Sequence, residues 1–155
     1  MKIVSAVAVL LCLLSSVPPA GAGKGPDLVV RTYEHGREWV RIPVQYGQIF
    51  SIHYIHSVDH FPITEVFRVA PGVGIVLVET YFTMFGAGLG YWPGHGKLTQ
   101  RGRWIVIENI EDPVGRFILR IGAKTVAHTL KVGEFSVNLS DLAAGKRVEV
   151  FVSGE

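Results

Sequence analysis

The chain of 155 residues has one cysteine and no apolar run long enough to cross a bilayer, which takes about 20 residues in a helix. The single thiol, Cys12, lies inside the first apolar stretch. No disulfide can therefore close within the chain, and neither a thiol nucleophile nor a cysteine metal site is expected. Charge of either sign is scarce: 15 Lys and Arg against 13 Asp and Glu, net +2, with no basic cluster. That balance argues against nucleic acid as a partner. Missing too are G-x-G-x-x-G, a Lys-Ser/Thr phosphate loop, Gly-x-Ser-x-Gly, H-x-H, H-E-x-x-H and an Asp-rich calcium loop. Their absence removes the dinucleotide, P-loop, serine-hydrolase and common metal readings. No cofactor is expected, and no repeat, low-complexity tract or heptad pattern is found.

What is present begins with the mean hydropathy, +0.34, high for a soluble domain. Part of it sits at the start. Met1-Lys2 is followed by Ile3 to Leu14 with only Ser5 polar, then Ser15-Ser16-Val17-Pro18-Pro19 and Ala20-Gly21-Ala22. A basic start, a short apolar stretch and a small-residue end read as a secretory signal peptide over residues 1–22, cleaved after Ala22. An uncleaved anchor is the alternative. Removing residues 1–22 takes away Cys12 and, among the charges, only Lys2. The expected product is an exported, periplasmic or extracytoplasmic, nearly neutral chain with no membrane span. Residues 23–27 (Gly-Lys-Gly-Pro-Asp) read as a flexible lead-in and 28–155 as one domain, large enough to bury its own core.

Short apolar or alternating runs rich in Val, Ile, Phe, Tyr and Thr mark strands at 28–33, 38–44, 48–57, 62–70, 75–83, 104–110, 116–121, 126–132, 134–138 and 147–152. Turn residues punctuate them at His35-Gly36, Tyr46-Gly47, Asp59-His60, Pro71-Gly72, Asp112-Pro113 and Gly122-Ala123. The spacing predicts an all-β fold, an antiparallel β-sandwich or open barrel of 8–10 short strands. One short helix is expected near 140–145, capped by Ser140 and ended by Gly145.

Two polar residues stand out in the hairpin made by 48–57 and 62–70. If the turn centres on Asp59-His60, opposed residue numbers sum to 119. Ile52, Tyr54 and His56 then share the core-facing side with Ile63, Glu65, Phe67 and Val69. A one-residue slip would put Arg68 and Thr64 on that side instead. A lone buried carboxylate is costly, so Glu65 must be partnered, protonated or marginal. His56, two residues along the partner strand, is the expected partner. The pair either lines a pocket for a polar ligand or acid/base work, or is a buried hydrogen-bonded pair that fixes the turn. Glu79 poses the same problem in Ile75-Val76-Leu77-Val78-Glu79-Thr80-Tyr81-Phe82. A salt bridge to Arg68 or a backbone hydrogen bond would hold it. Two such glutamates and a histidine could hold a divalent metal, but no motif supports one, and no metal ligand is assigned.

The segment Phe85-Gly86-Ala87-Gly88-Leu89-Gly90-Tyr91-Trp92-Pro93-Gly94-His95-Gly96 is rich in glycine and aromatics. It reads either as a ligand or partner surface carrying Tyr91, Trp92 and His95, or as a loop whose Trp92 plugs the end of the sandwich.

Tyr54-Ile55-His56-Ser57-Val58, Pro62, Glu65-Val66-Phe67-Arg68-Val69, Val78-Glu79-Thr80 and Phe85-Gly86-Ala87-Gly88-Leu89 follow one another in order over residues 52–89. Together they resemble the core pattern of a small exported bacterial family, domain of unknown function 1850. Gly90 departs from it, at a position where the family often carries proline. The resemblance implies a gene often found beside TRAP transporters of the TAXI class, which pair a secreted solute receptor with membrane permease subunits. It implies no reaction. The expectation is a non-enzymatic transporter accessory that binds a small polar solute or a receptor or permease subunit. Its ligand-binding set would be Tyr54, His56, Ser57, Glu65, Glu79, Phe85, Gly86, Gly88, Tyr91 and Trp92, with no catalytic residue assigned. The rivals are a hydrolase or isomerase using His56 and Glu65, and a purely structural interaction domain.

Overall fold

The computed structural model describes residues 25–86, 90, 91 and 93–154. The expected signal peptide, with Gly88 and Trp92 of the expected ligand set, lies outside the described residues. The strands are β1 (Asp27–Thr32), β2 (Glu38–Pro43), β3 (Ile49–Ile55), β4 (Pro62–Ala70), β5 (Gly74–Phe82) and β6 (Lys97–Arg101). There follow β7 (Trp104–Glu108), β8 (Asp112–Gly115), β9 (Phe117–Arg120), β10 (Thr129–Val132), β11 (Phe135–Asn138), the helix α1 (Leu139–Ala143) and β12 (Arg147–Ser153). They form two antiparallel sheets. The smaller has the order β2-β1-β12-β9; the larger runs β11-β10-β3-β4-β5-β7-β6, with β8 pairing β5 off that path.

The period-2 alternation of the strands builds the interior. Leu28 and Val30 of β1 and Val148, Val150 and Val152 of β12 face Phe50 and Ile52 of β3 and Phe67 and Val69 of β4, all in one buried cluster. Full burial of each such side chain stabilises the fold by about 1.5–3 kcal/mol. Phe67 ties the layers together, stacking on Phe50 at 5.1 Å and on Phe117 of the smaller sheet at 5.2 Å. A second cluster, Phe61, Ile63, Phe82 and Ile107, lies farther along the larger sheet and contains no residue of the smaller one. Tyr54 packs against both clusters. This is a sandwich with unequal layers.

Ten of the twelve strands match the expected runs. The two additions have plain causes. β6 is a polar edge strand with four of its five residues exposed, so it carries no apolar alternation. β8 contains Pro113 and makes only an irregular pairing with β5, and its Asp-Pro reads as a turn. The helix begins one residue earlier than expected, and its cap is Asn138, not Ser140. The Asn138 Oδ1 accepts from the amides of Ser140 (2.9 Å) and Asp141 (3.3 Å). Ser140 is buried instead, its hydroxyl accepting from the His128 amide at 3.0 Å.

Candidate functional site

The β3–β4 hairpin turns through residues 57–60. The His56 amide donates to the Phe61 carbonyl at 2.8 Å and the His60 amide to the His56 carbonyl at 3.0 Å. His60 closes the turn with φ 55°. Opposed residues are Ile52 with Glu65 and Tyr54 with Ile63, so their numbers sum to 117, two fewer than expected. An even shift leaves every side chain on its expected face, and Glu65 does lie on the interior side between Ile63 and Phe67. It changes the neighbours, however. Tyr54 is now the diagonal neighbour of Glu65, within reach of an aromatic side chain. His56 stands four residues beyond Ile52, about 13 Å along the strand. The expected His56–Glu65 pair is not formed. His56 Nδ1 lies 3.2 Å from both the Asp59 carboxylate and the Asp59 amide, and its ring stacks on Phe61 at 5.2 Å.

Glu65 has Thr80, itself buried, on its other side in β5. Burial pushes its carboxyl pKa above the ordinary value, toward the protonated acid. Among the described residues no hydrogen bond or ion pair reaches it. Burial, and then the charge of Glu65, raise the Tyr54 phenol, so Tyr54 stays a neutral donor. The Tyr54 ring stacks on His128 at 5.0 Å. His128 Nδ1 accepts the Gly122 amide at 3.1 Å, and burial lowers its pKa. The imidazole is therefore neutral, with its proton on Nε2. Sequence reading had no role for His128, although it alternates in phase with the apolar Leu130 and Val132. That phase was the available signal.

Glu79 is placed elsewhere. It lies opposite Val66, on the outer face of the larger sheet. A bulge at Val66/Phe67 inserts Val78 into β5 and reverses its alternation there. This explains a run that reads as apolar on both faces. Glu79 accepts from the Tyr81 hydroxyl and lies 3.9 Å from Arg101, which also binds Glu108. The expected partner Arg68 is engaged by Glu111 instead. Glu65 and Glu79 thus occupy opposite faces. Among the described residues no group of three His, Cys, Asp or Glu side chains is placed to hold a metal.

The glycine–aromatic segment starts on the hairpin. Phe85 meets Phe82 edge-on at 5.2 Å while half exposed. Gly86 packs against the turn so closely that a β-carbon there would lie 2.6 Å from the Asp59 carboxylate and 3.1 Å from Phe61. A side chain there would have to push the Asp59 carboxylate aside and press on the Phe61 ring. Tyr91 is exposed.

Behind the same turn a cleft of about 390 Å³ opens, lined by His56, Ser57 and His60 from the hairpin, by Arg120 at the end of β9 and by Gly122 and Thr125 from the chain after it. The expected ligand set therefore divides among four places: Tyr54 and Glu65 inside, His56 and Ser57 on the cleft, Glu79 on the outer face, and Phe85, Gly86 and Tyr91 on the loop. Among the described residues no helix is long and apolar enough to cross a membrane. A family model described as domain of unknown function (DUF1850) matches residues 50–139, which hold the hairpin, the loop, Arg120 and His128. Neither a curated protein nor a solved structure matches the chain.

Proposed function

The chain belongs to the DUF1850 family, and from that premise we propose that it is an exported, non-enzymatic binding domain that serves a TRAP solute transporter of the TAXI class. The transporter context comes from the sequence resemblance. The binding role is carried by one observation: Glu65 holds a largely buried carboxyl beside Tyr54 with no hydrogen-bond or ion-pair partner among the described residues. Burying such a group uncompensated costs about 1–3 kcal/mol or more. A polar solute that hydrogen-bonds the acid and the phenol offsets that cost, so the bound form gains what the free form lacks. Glu65 is not fully enclosed, which leaves a solute group a way to reach it. An acid/base mechanism through His56 and Glu65 gains no support, because about 13 Å of strand separates them.

The test is gentle solubilisation of the native envelope and purification of the full chain with whatever accompanies it. Transporter receptor or permease subunits, or a bound polar solute, should be recovered, and Glu65→Leu should release the solute. Recovery of neither subunit nor solute would overturn the proposal. Mass analysis of the purified chain reads out removal of residues 1–22 in the same preparation.

A further inference from the structure

The cleft behind the hairpin turn has a chemistry of its own. Its lining holds two imidazoles, a guanidinium and two hydroxyls, and no carboxylate. Asp59, in the same turn, lies 3.2 Å from His56.

Arg120 is the telling residue. It stands directly opposite Arg147 in the β9–β12 pair, and like charges facing each other across a sheet are destabilising. Two neighbouring cations are compensated: Arg147 binds Glu34 at 2.8 Å, and Lys124 lies 3.8 Å from Asp141. Arg120 has no ion-pair or hydrogen-bond partner among the described residues. Lys146, whose carbonyl accepts from the Ile121 amide at 2.9 Å, is likewise without an ion pair among the described residues, so what sets Arg120 apart is that it lines the cleft.

We propose that the cleft is an oxyanion site, taking the carboxylate or phosphate head of a small organic solute. Arg120 supplies the planar two-pronged donor that matches either head. The Ser57 and Thr125 hydroxyls add neutral donors, and the imidazoles of His56 and His60 flank the charge. Ile55 and Val126, also in the lining, give the solute body an apolar wall. A volume of about 390 Å³ falls within the range of about 300–1,000 Å³ usual for small-molecule sites. The site is separate from Glu65, and it stands or fails independently of the transporter role.

The experiment titrates the isotope-labelled full chain with succinate and, separately, with inorganic phosphate, at pH 7 and constant ionic strength set by sodium chloride. Saturable amide shifts at Ser57, Gly122 and Thr125 are expected for at least one of the two, and the tighter binder identifies the head group. Arg120→Ala should weaken that binding by about tenfold or more, and Arg120→Lys should recover part of it. Thr125→Val, which keeps the charge and the fold, should weaken it by a smaller factor, and Glu65→Gln should leave it within about twofold. The proposal is overturned if neither anion saturates, if Arg120→Ala binds as the parent does, or if Glu65→Gln abolishes binding.

Discussion

Glu149 and Glu65 are both sequestered glutamates on inner strands, and the molecule treats them in opposite ways. Glu149, on the outer face of the smaller sheet, is 8% exposed. It accepts from Arg31 at 2.7 and 2.9 Å and from Arg116 at 3.1 Å. Both guanidinium groups lie over the Phe151 ring, at 4.6 and 5.5 Å. Burial alone would raise the Glu149 pKa, but the two arginines outweigh it and hold the carboxyl below its ordinary value. Glu65, on the inner face of the larger sheet, receives burial without the arginines, and its pKa rises. The same side chain is a fastener in one place and an unspent acid in the other. Partners separate the two cases, since burial alone would raise the pKa of both. The contrast also shows that this chain, with few charges, still supplies cations where an acid serves only to hold the sheet.

The largest effect is expected at the fastener. Glu149→Ala leaves Arg31 and Arg116 facing each other over Phe151 and should lower stability by about 2 kcal/mol, a partial loss because both arginines reach solvent. Urea denaturation at pH 7 measures it. Since the folded pKa of Glu149 is depressed, its contribution is present above the unfolded value, about 4.3, and is lost as the pH falls through the folded value. Glu149→Ala should remove that acid-side slope. Next comes Glu65→Gln, with the reverse sign. The folded pKa of Glu65 is raised, so its contribution is complete below about 4.3 and disappears as the pH rises through the folded value. The amide should therefore stabilise the domain at pH 8 by about 1 kcal/mol and leave pH 4 nearly unchanged. A loss at pH 8 would mean that Glu65 has a partner after all, and the comparison would break. The smallest effect belongs to Glu79, a third carboxylate between these extremes, partly exposed and tied to Tyr81 and Arg101. Glu79→Gln should shift the urea midpoint by the equivalent of about 0.5 kcal/mol or less. A larger loss would place it with Glu149.

How far these positions could be read from sequence depends on what each property rests on. Strand identity and facing rest on local alternation, so β4 was placed to the residue and Glu65 was placed on the interior side. The identity of its neighbours rests on the turn: with the loop at residues 57–60, Ile52 replaces Tyr54 opposite Glu65, Tyr54 moves to the diagonal and His56 is carried out of reach. Glu79 was misjudged because a bulge is a feature of strand pairing with no local signature in Val76-Leu77-Val78-Glu79. Its partner Arg101 comes from β6, an edge strand too polar to announce itself. His128 carried the right phase but was passed over, because its roles come from Tyr54, Gly122 and Ser140, none of them adjacent in the chain. Arg120 is the same case: nothing in its own strand marks it, and only the pairing with Arg147 and the arrival of the hairpin turn give it meaning.

The unequal widths of the two sheets have a further consequence. Four strands form a roof over a floor nearly twice as wide, so one end of the floor, with Phe61, Ile63, Phe82 and Ile107, is sheltered by connecting chain and not by a second sheet. Glu65 sits where the roof stops, with Ile63 of the sheltered end on one side and Phe67 of the roofed core on the other. A molecule that docks at this seam works against loop packing alone. The valine-rich half, by contrast, is closed between the two sheets.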